Sequence, residues 1–234
     1  DHRDLHSFPT RRSSDLYWQL NDCWPVTSWS GMDSEYNWKA LQYTVRNLYK
    51  DVMITLIIED GRLNVHIISD KSEKIKGVLN ISLAGFENYE YEIFCNEISV
   101  EPGSSKAIYS EDFEKLSSIC DPRSTLILSK FTTNTGEEFV NSKFMVPYGS
   151  LKTKPSSIEK EVSFNKDEFV IKIKADVFTP FLYLFTRKGR TSFSDNFFHL
   201  RPGETKVIKC RSTLTLNQFN EELEIYSLNK YLNP

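Results

Sequence analysis

Several features are scarce or missing in this 234-residue chain, and each removes a class of function. No run of about 18 apolar residues occurs, which excludes a membrane-spanning helix. The cysteines, Cys23, Cys95, Cys120 and Cys210, lie far apart without a CxxC pair, so neither a zinc knuckle nor a thioredoxin-type motif is supported. Charge of neither sign dominates: 29 Lys+Arg against 32 Asp+Glu leaves a net −3, with no electrostatic reason to expect nucleic acid or an anionic membrane as partner. Histidine is sparse. His66 and His199 have no spaced Cys or carboxylate partner, so no metal site is expected, and each reads as a structural strand residue. No low-complexity tract or internal repeat is visible. What remains is a globular composition, 39% hydrophobic, 13% aromatic and 26% charged, long enough for one or two domains.

The distribution along the chain is uneven. Residues 1–16 (DHRDLHSFPTRRSSDL) have no strand or helix periodicity and lack the apolar centre of a signal peptide. The string resembles the in-frame translation of a short-read sequencing adapter. It would therefore be an artefact, with the natural reading frame entering at Tyr17. All four tryptophans fall between Trp18 and Trp38. Tyr17–Leu20 reads as the end of a buried strand, and 21–36, with Pro25, Gly31 and many Ser and Asp, as a loop. Residues 37–50 read as a helix, capped by Asn37 or Ser34, with Trp38, Leu41, Val45 and Leu48 on one face. Trp29 and Trp38 are expected in a core.

From residue 52 onward the pattern changes to short strands. Val52–Glu59 and Arg62–Ser69 flank Asp60-Gly61, a two-residue hairpin signal. Further strands are expected at 77–83, 90–94, 104–109, 125–131 and 138–146, with a helical turn at 112–118. A second series is expected at 158–164, 168–175, 181–185, 197–200, 205–211 and 222–228. Turn signals every 8–12 residues suit β-sandwiches, and a boundary is placed near 147–155. Phe181, Tyr183 and Phe185 alternate and read as an inward sandwich face. Cys95 and Cys120 could pair in an oxidising compartment. Asn80-Ile81-Ser82 is a glycosylation sequon of little weight.

Residues 17–40 read YWQLNDCWPVTSWSGMDSEYNWKA. This closely resembles the last barrel strand, following loop and last helix of glycoside hydrolase family 2 β-mannosidases. Trp18, Gln19, Leu20, Asn21, Asp22, Trp24, Pro25, Ser28, Trp29, Ser30, Asp33, Trp38, Lys39, Ala40, Leu41 and Tyr43 are kept. Gly31 stands where that family commonly has Ser, and Gln42 where it has His. A second trace, Ser192–Phe198 followed by Arg201-Pro202-Gly203-Glu204, is similar to the signature of the family's C-terminal immunoglobulin-like domain.

The resemblance implies a mainly β architecture. The end of a (β/α)8 barrel would occupy 17–51, followed by immunoglobulin-like β-sandwiches at 52–150 and 151–234. It implies retaining hydrolysis of terminal non-reducing β-D-mannose, with an acid and a nucleophile that are both glutamates. In the family these lie on earlier strands, so none is expected in this chain and the chain alone is expected to be inactive. Trp18, at a strand end where barrel chemistry gathers, would form the platform under the sugar. Asn21 and Asp22 would hydrogen-bond hydroxyls, and Trp24 would line the entrance. A loop Asn-Asp pair is also a common turn former. The partners implied are a β-mannoside oligosaccharide and the missing N-terminal barrel, with no cofactor, in periplasm, lysosome or secreted form. Two alternatives stand beside this: a non-catalytic carbohydrate-binding module, and another family 2 glycosidase of β-galactosidase or β-glucuronidase type.

Overall fold

The computed structural model describes residues 17–232, and the adapter-like stretch 1–16 lies outside them. The chain forms two compact units. The first holds Leu48–Gly85 and Tyr89–Leu151; the second holds Tyr17–Asn47, Phe86–Asn88 and the chain from Lys152 on.

The first unit is a sandwich of seven antiparallel strands. Strands β1 (Val52–Glu59), β2 (Arg62–Ser69) and β5 (Ser104–Asp112) form one sheet, ordered β1-β2-β5. Strands β3 (Ile75–Gly85), β4 (Glu90–Val100), β6 (Thr125–Thr133) and β7 (Glu138–Phe144) form the other, ordered β4-β3-β6-β7. The β1–β2 hairpin closes as its dipeptide requires, with Asp60 at φ +51° and Gly61 at +73°, the left-handed pair of a type I′ turn. Alternation decides what is buried: Leu63, Val65 and Ile67 of β2 meet Leu79 and Ile81 of β3 and Ile127 and Phe131 of β6. A short helix, α2 (Phe113–Ser118), is capped by the Asp112 carboxylate and seals one end with Leu116.

In the second unit, helix α1 (Ala40–Leu48) precedes a sandwich of two further sheets. One contains β8 (Ile158–Asn165), β9 (Glu168–Ala175), β11 (Thr191–Phe193) and β13 (Thr205–Ser212), ordered β11-β13-β9-β8. The other contains β10 (Thr179–Thr186), β12 (Phe198–Leu200) and β14 (Leu223–Tyr226), ordered β12-β10-β14. Phe169, Ile171 and Ile173 of β9, Leu182 and Leu184 of β10, and Ile208 and Cys210 of β13 are buried together. Helix α3 (Leu216–Glu222) adds Phe219, stacked on Phe169 at a centroid distance of 4.2 Å. A last short helix, α4 (Asn229–Leu232), follows β14.

Several expectations need correction. Residues 17–20 form no strand; the nearest ladder contacts are single bridges, Asn21 to Met32 and Met32 to Trp38. Helix α1 starts at Ala40 rather than 37, because the Asp33 carboxylate captures the Glu35 and Asn37 backbone N–H groups and bends the chain there. Asn37 therefore caps nothing. Of the predicted face, Trp38, Leu41 and Leu48 are exposed, and Tyr43 is the buried residue of α1. Phe181, Tyr183 and Phe185 point away from the core, which takes Leu182 and Leu184 instead. All four cysteines are free thiols, so Cys95 and Cys120 are not paired. Asn80 lies inside β3, hydrogen-bonded across to β4 and β6 strands, an unfavourable setting for a glycan.

Candidate functional site

The Trp-bearing segment has no regular secondary structure, so its hydrogen bonds must come from elsewhere. Part comes from the chain folding on itself. The Gly31 and Met32 N–H groups donate to the Gln19 and Leu20 carbonyls at 3.0 and 2.9 Å, and Asp22 N–H donates back to Met32 at 3.1 Å. Lys39 N–H donates to Gly31 at 2.9 Å. The Trp18–Gln19 peptide is cis.

The rest comes from Asp22, which is only 5% exposed. Its carboxylate accepts from the Lys39 ammonium and the Ser28 hydroxyl, each at 2.6 Å, and from the Ser30 hydroxyl at 2.8 Å. Ser28 Oγ also accepts the Ser30 N–H at 3.0 Å. A buried carboxylate needs such a set, since desolvation alone would drive it towards the neutral acid. The Lys39 ammonium, then the two seryl hydroxyls, win against desolvation and hold the carboxyl down at about 2. Asp22 is therefore an anion at neutral pH, unsuited to donate a proton as a general acid. Its oxygens are spent on the loop. Asn21 is half-buried, and its amide donates to the Asp22 carbonyl at 3.1 Å.

The indoles are displayed instead of packed. Trp18 is 77% exposed, Trp24 66% and Trp29 65%, so the expectation of Trp29 in a core is overturned. Trp38 packs edge-on against Tyr43, with centroids 5.3 Å apart, and keeps part of its surface in solvent. Sequence reasoning kept Ser28, Ser30 and Lys39 only as matching letters. Their common target is Asp22, and no sequence periodicity links them to it.

The two departures from the family pattern meet in space. Gln42 Oε1 accepts the Tyr17 hydroxyl at 2.6 Å. A Cβ at position 31 would run into that same Oε1, so Gly31 makes the room that Gln42 occupies.

The second trace, Ser194-Asp195-Asn196, is a built corner. Asn196 is buried and pairs with the Leu184 backbone in both directions at 2.8 Å, like a short piece of strand. It also accepts the N–H of Phe197, which sits at φ +57°. Phe181, at φ +50°, donates its N–H to His199 Nδ1 at 3.1 Å. Bulky residues are strained there, and these acceptors hold them. Burial drives the His199 pKa down to about 4, so the ring is neutral with its proton on Nε2. The histidine is structural, as expected. Arg201 and Glu204 close a turn around Gly203, with Glu204 Oε2 accepting the Arg201 N–H.

Residues 61–148 match the family model described as a mannosidase Ig/CBM-like domain, and residues 153–231 match an Ig-fold domain model of the mannosidases. The chain belongs with the C-terminal portion of family 2 β-mannosidases. It is 27% identical over 216 residues to β-mannosidase A of Neosartorya fischeri, covering 86% of this chain and 23% of that one. It is 26% identical over 192 residues to the β-mannosidase of Capra hircus, covering 78% of this chain and 22% of that one. The chain thus spans under a quarter of the length of these curated relatives. The crystal structure of a β-D-mannosidase from Dictyoglomus thermophilum superposes with a TM-score of 0.73 at 21% identity, over 91% of this chain and 26% of that one. An Amycolatopsis orientalis exo-chitosanase follows at 0.63 and 16%, over 92% and 30%. At such identities these two matches speak for the fold alone.

Proposed function

We propose that this chain is the C-terminal part of a retaining β-mannosidase that removes terminal non-reducing β-D-mannose. Residues 17–51 are the end of its (β/α)8 barrel, 52–150 and 151–234 its immunoglobulin-like sandwiches, and the catalytic glutamates are carried outside this chain. Trp18 is the platform under the sugar ring and Trp24 lines the entrance. Asn21 offers a hydrogen bond at the mouth. Asp22 serves the sugar through the loop, holding Ser28, Ser30 and Lys39 in place.

The observation that carries this reading is a pairing of opposites four positions apart, Trp18 and Asp22. An indole 77% exposed stands on a segment anchored by a carboxylate only 5% exposed. Large apolar area held out rigidly is costly in water and suits the C–H face of a pyranose. The competing module reading has the CBM-like description of residues 61–148 on its side.

The test has two arms. The purified chain shows no turnover of an aryl β-mannoside; measurable turnover refutes the assignment of the glutamates elsewhere. In the protein joined to its upstream barrel, Trp18→Ala lowers kcat/KM by roughly a hundredfold, the loss of about half an indole's apolar contact. Millimolar oligosaccharide affinity that survives Trp18→Ala in this chain favours the binding module instead.

A further inference from the structure

We propose that Asp195, acting through Arg46, is a positioning residue for the Trp-bearing loop, so that the C-terminal sandwich sets the attitude of the residues read above as facing the sugar. The purpose rests on that reading, while the strut itself rests on geometry.

Arg46 lies in the last turn of α1. Its guanidinium makes a two-pronged contact with the Ser194–Asp195 corner: one nitrogen donates to the Ser194 carbonyl at 2.6 Å, the other to Asp195 Oδ1 at 3.1 Å. The same group lies 5.3 Å from the Tyr43 ring centroid and 5.8 Å from that of Trp38. Fork and stack together are within the reach of arginine and beyond that of lysine.

The receiving corner is rigid. Asp195 Oδ2 pairs with Lys206 of β13 at 3.0 Å. Ser194 exchanges hydrogen bonds with the Lys209 backbone at 2.7 and 2.9 Å, and Asn196 is fixed to β10. Tyr43 lies against Phe197, and Phe197 stacks on Tyr183 at 5.1 Å.

The other end of the strut reaches the site. Trp38 bridges to Met32, and Met32 is hydrogen-bonded to Leu20 and Asp22. Contacts therefore run from strand β13 to the Asn21–Asp22 pair, hydrogen-bonded throughout except where the Arg46 guanidinium lies over the Trp38 ring. A second cation makes an independent hold: Arg190, in the turn before β11, lies 4.8 Å from the Tyr36 ring centroid. An isolated exposed ion pair contributes little. This one adds a backbone acceptor, a pre-fixed carboxylate and two ring faces to a single guanidinium.

The experiment uses the intact 234-residue chain and the variants Arg46→Met, Arg46→Lys and Asp195→Asn. Two readouts are taken: amide hydrogen exchange, and tryptophan emission with acrylamide quenching, which reports this segment alone because all four indoles lie in it. In Arg46→Met the Met32 and Lys39 amides exchange about tenfold faster and quenching of the summed indole emission rises, while the Ile171 and Ile208 amides of β9 and β13 are unchanged. Arg46→Lys recovers part of the protection, and Asp195→Asn falls between. Unchanged exchange at Met32 and Lys39 overturns the strut. So does a rise shared equally by β9 and β13, which would make Arg46 a general stabiliser. Neither result bears on sugar binding, and a chain whose strut behaves as described yet whose Trp18 is indifferent to mannosides sinks the functional reading alone.

Discussion

In the second unit, β9 hides Phe169, Ile171 and Ile173 at every second position, whereas the neighbouring segment 17–39 leaves three of its four indoles largely in solvent. The sandwich is held by apolar burial that no single hydrogen bond controls. The segment is held by one ionised carboxylate with three donors, a few parallel backbone contacts and an arginine fork. The difference teaches where specificity sits. The sandwich is specified by many close-packed contacts, the segment by a few directional ones.

The comparison can be broken from the sandwich side first. Phe219→Ala removes a ring with no exposure that is stacked on Phe169, and it should cost about 4 kcal/mol in denaturant unfolding of the second unit. A loss below about 1 kcal/mol would mean the core is not where the stability lies.

Acid should separate the two regions next. His199 titrates at about 4 in the fold against about 6.5 unfolded. Its folded value is depressed, so the unfolded chain takes up the proton first. Stability is intact above pH 6.5, falls as pH drops from there towards 4, and levels off below. The loss by pH 4.5 is about 2.5 kcal/mol. Protonation would also remove the acceptor for the Phe181 N–H. His199→Gln, which keeps an acceptor without titrating, should flatten the slope in thermal scans between those pH values. Asp22 acts in the same direction but in a lower window: its depressed carboxyl contributes fully above about pH 4, and that contribution is lost as pH falls from there through about 2.

Asp22→Ala should act locally. The Lys39 ammonium is left beside two seryl hydroxyls without its counter-ion. Protection of the Met32 and Lys39 amides should vanish in hydrogen exchange, with the main unfolding transition nearly unmoved. A matching drop in the transition of the whole unit would show that the segment is part of the sandwich's own core. The smallest effect concerns the contact between Gly31 and Gln42. Gly31→Ser should cost under about 1 kcal/mol because Gln42 can swing away, and Gly31→Ser with Gln42→His should recover most of it.

Strands were legible wherever polar and apolar residues alternated. β2 and β9 run over the residues their alternation predicts, β1, almost wholly apolar, over those the hairpin signal predicts, and the Asp60-Gly61 turn fixes the register of the first hairpin. The face of β10 was not legible. Leu182 and Leu184 alternate with Tyr183 and Phe185, all apolar, so period alone cannot say which set turns inward. Helix α3 was missed, although Thr215 and Gln218 form a capping box that the letters Thr-x-x-Gln announce. In the 17–39 segment the motif letters do not disclose which residues bond to which. Asp22 looked like a residue for sugar hydroxyls because its contacts with Ser28, Ser30 and Lys39 span 6 to 17 positions and follow no period. Arg46 was invisible for the same reason, with its acceptors nearly 150 residues away.

The most direct measurement is a titration of the 15N-labelled chain with methyl β-mannoside, following the four indole N–H resonances. The account predicts that the Trp18 signal, and more weakly that of Trp24, shifts saturably in the millimolar range while the Trp38 signal stays put. Shifts confined to residues 61–148, or a Trp18 signal that does not move, would contradict it.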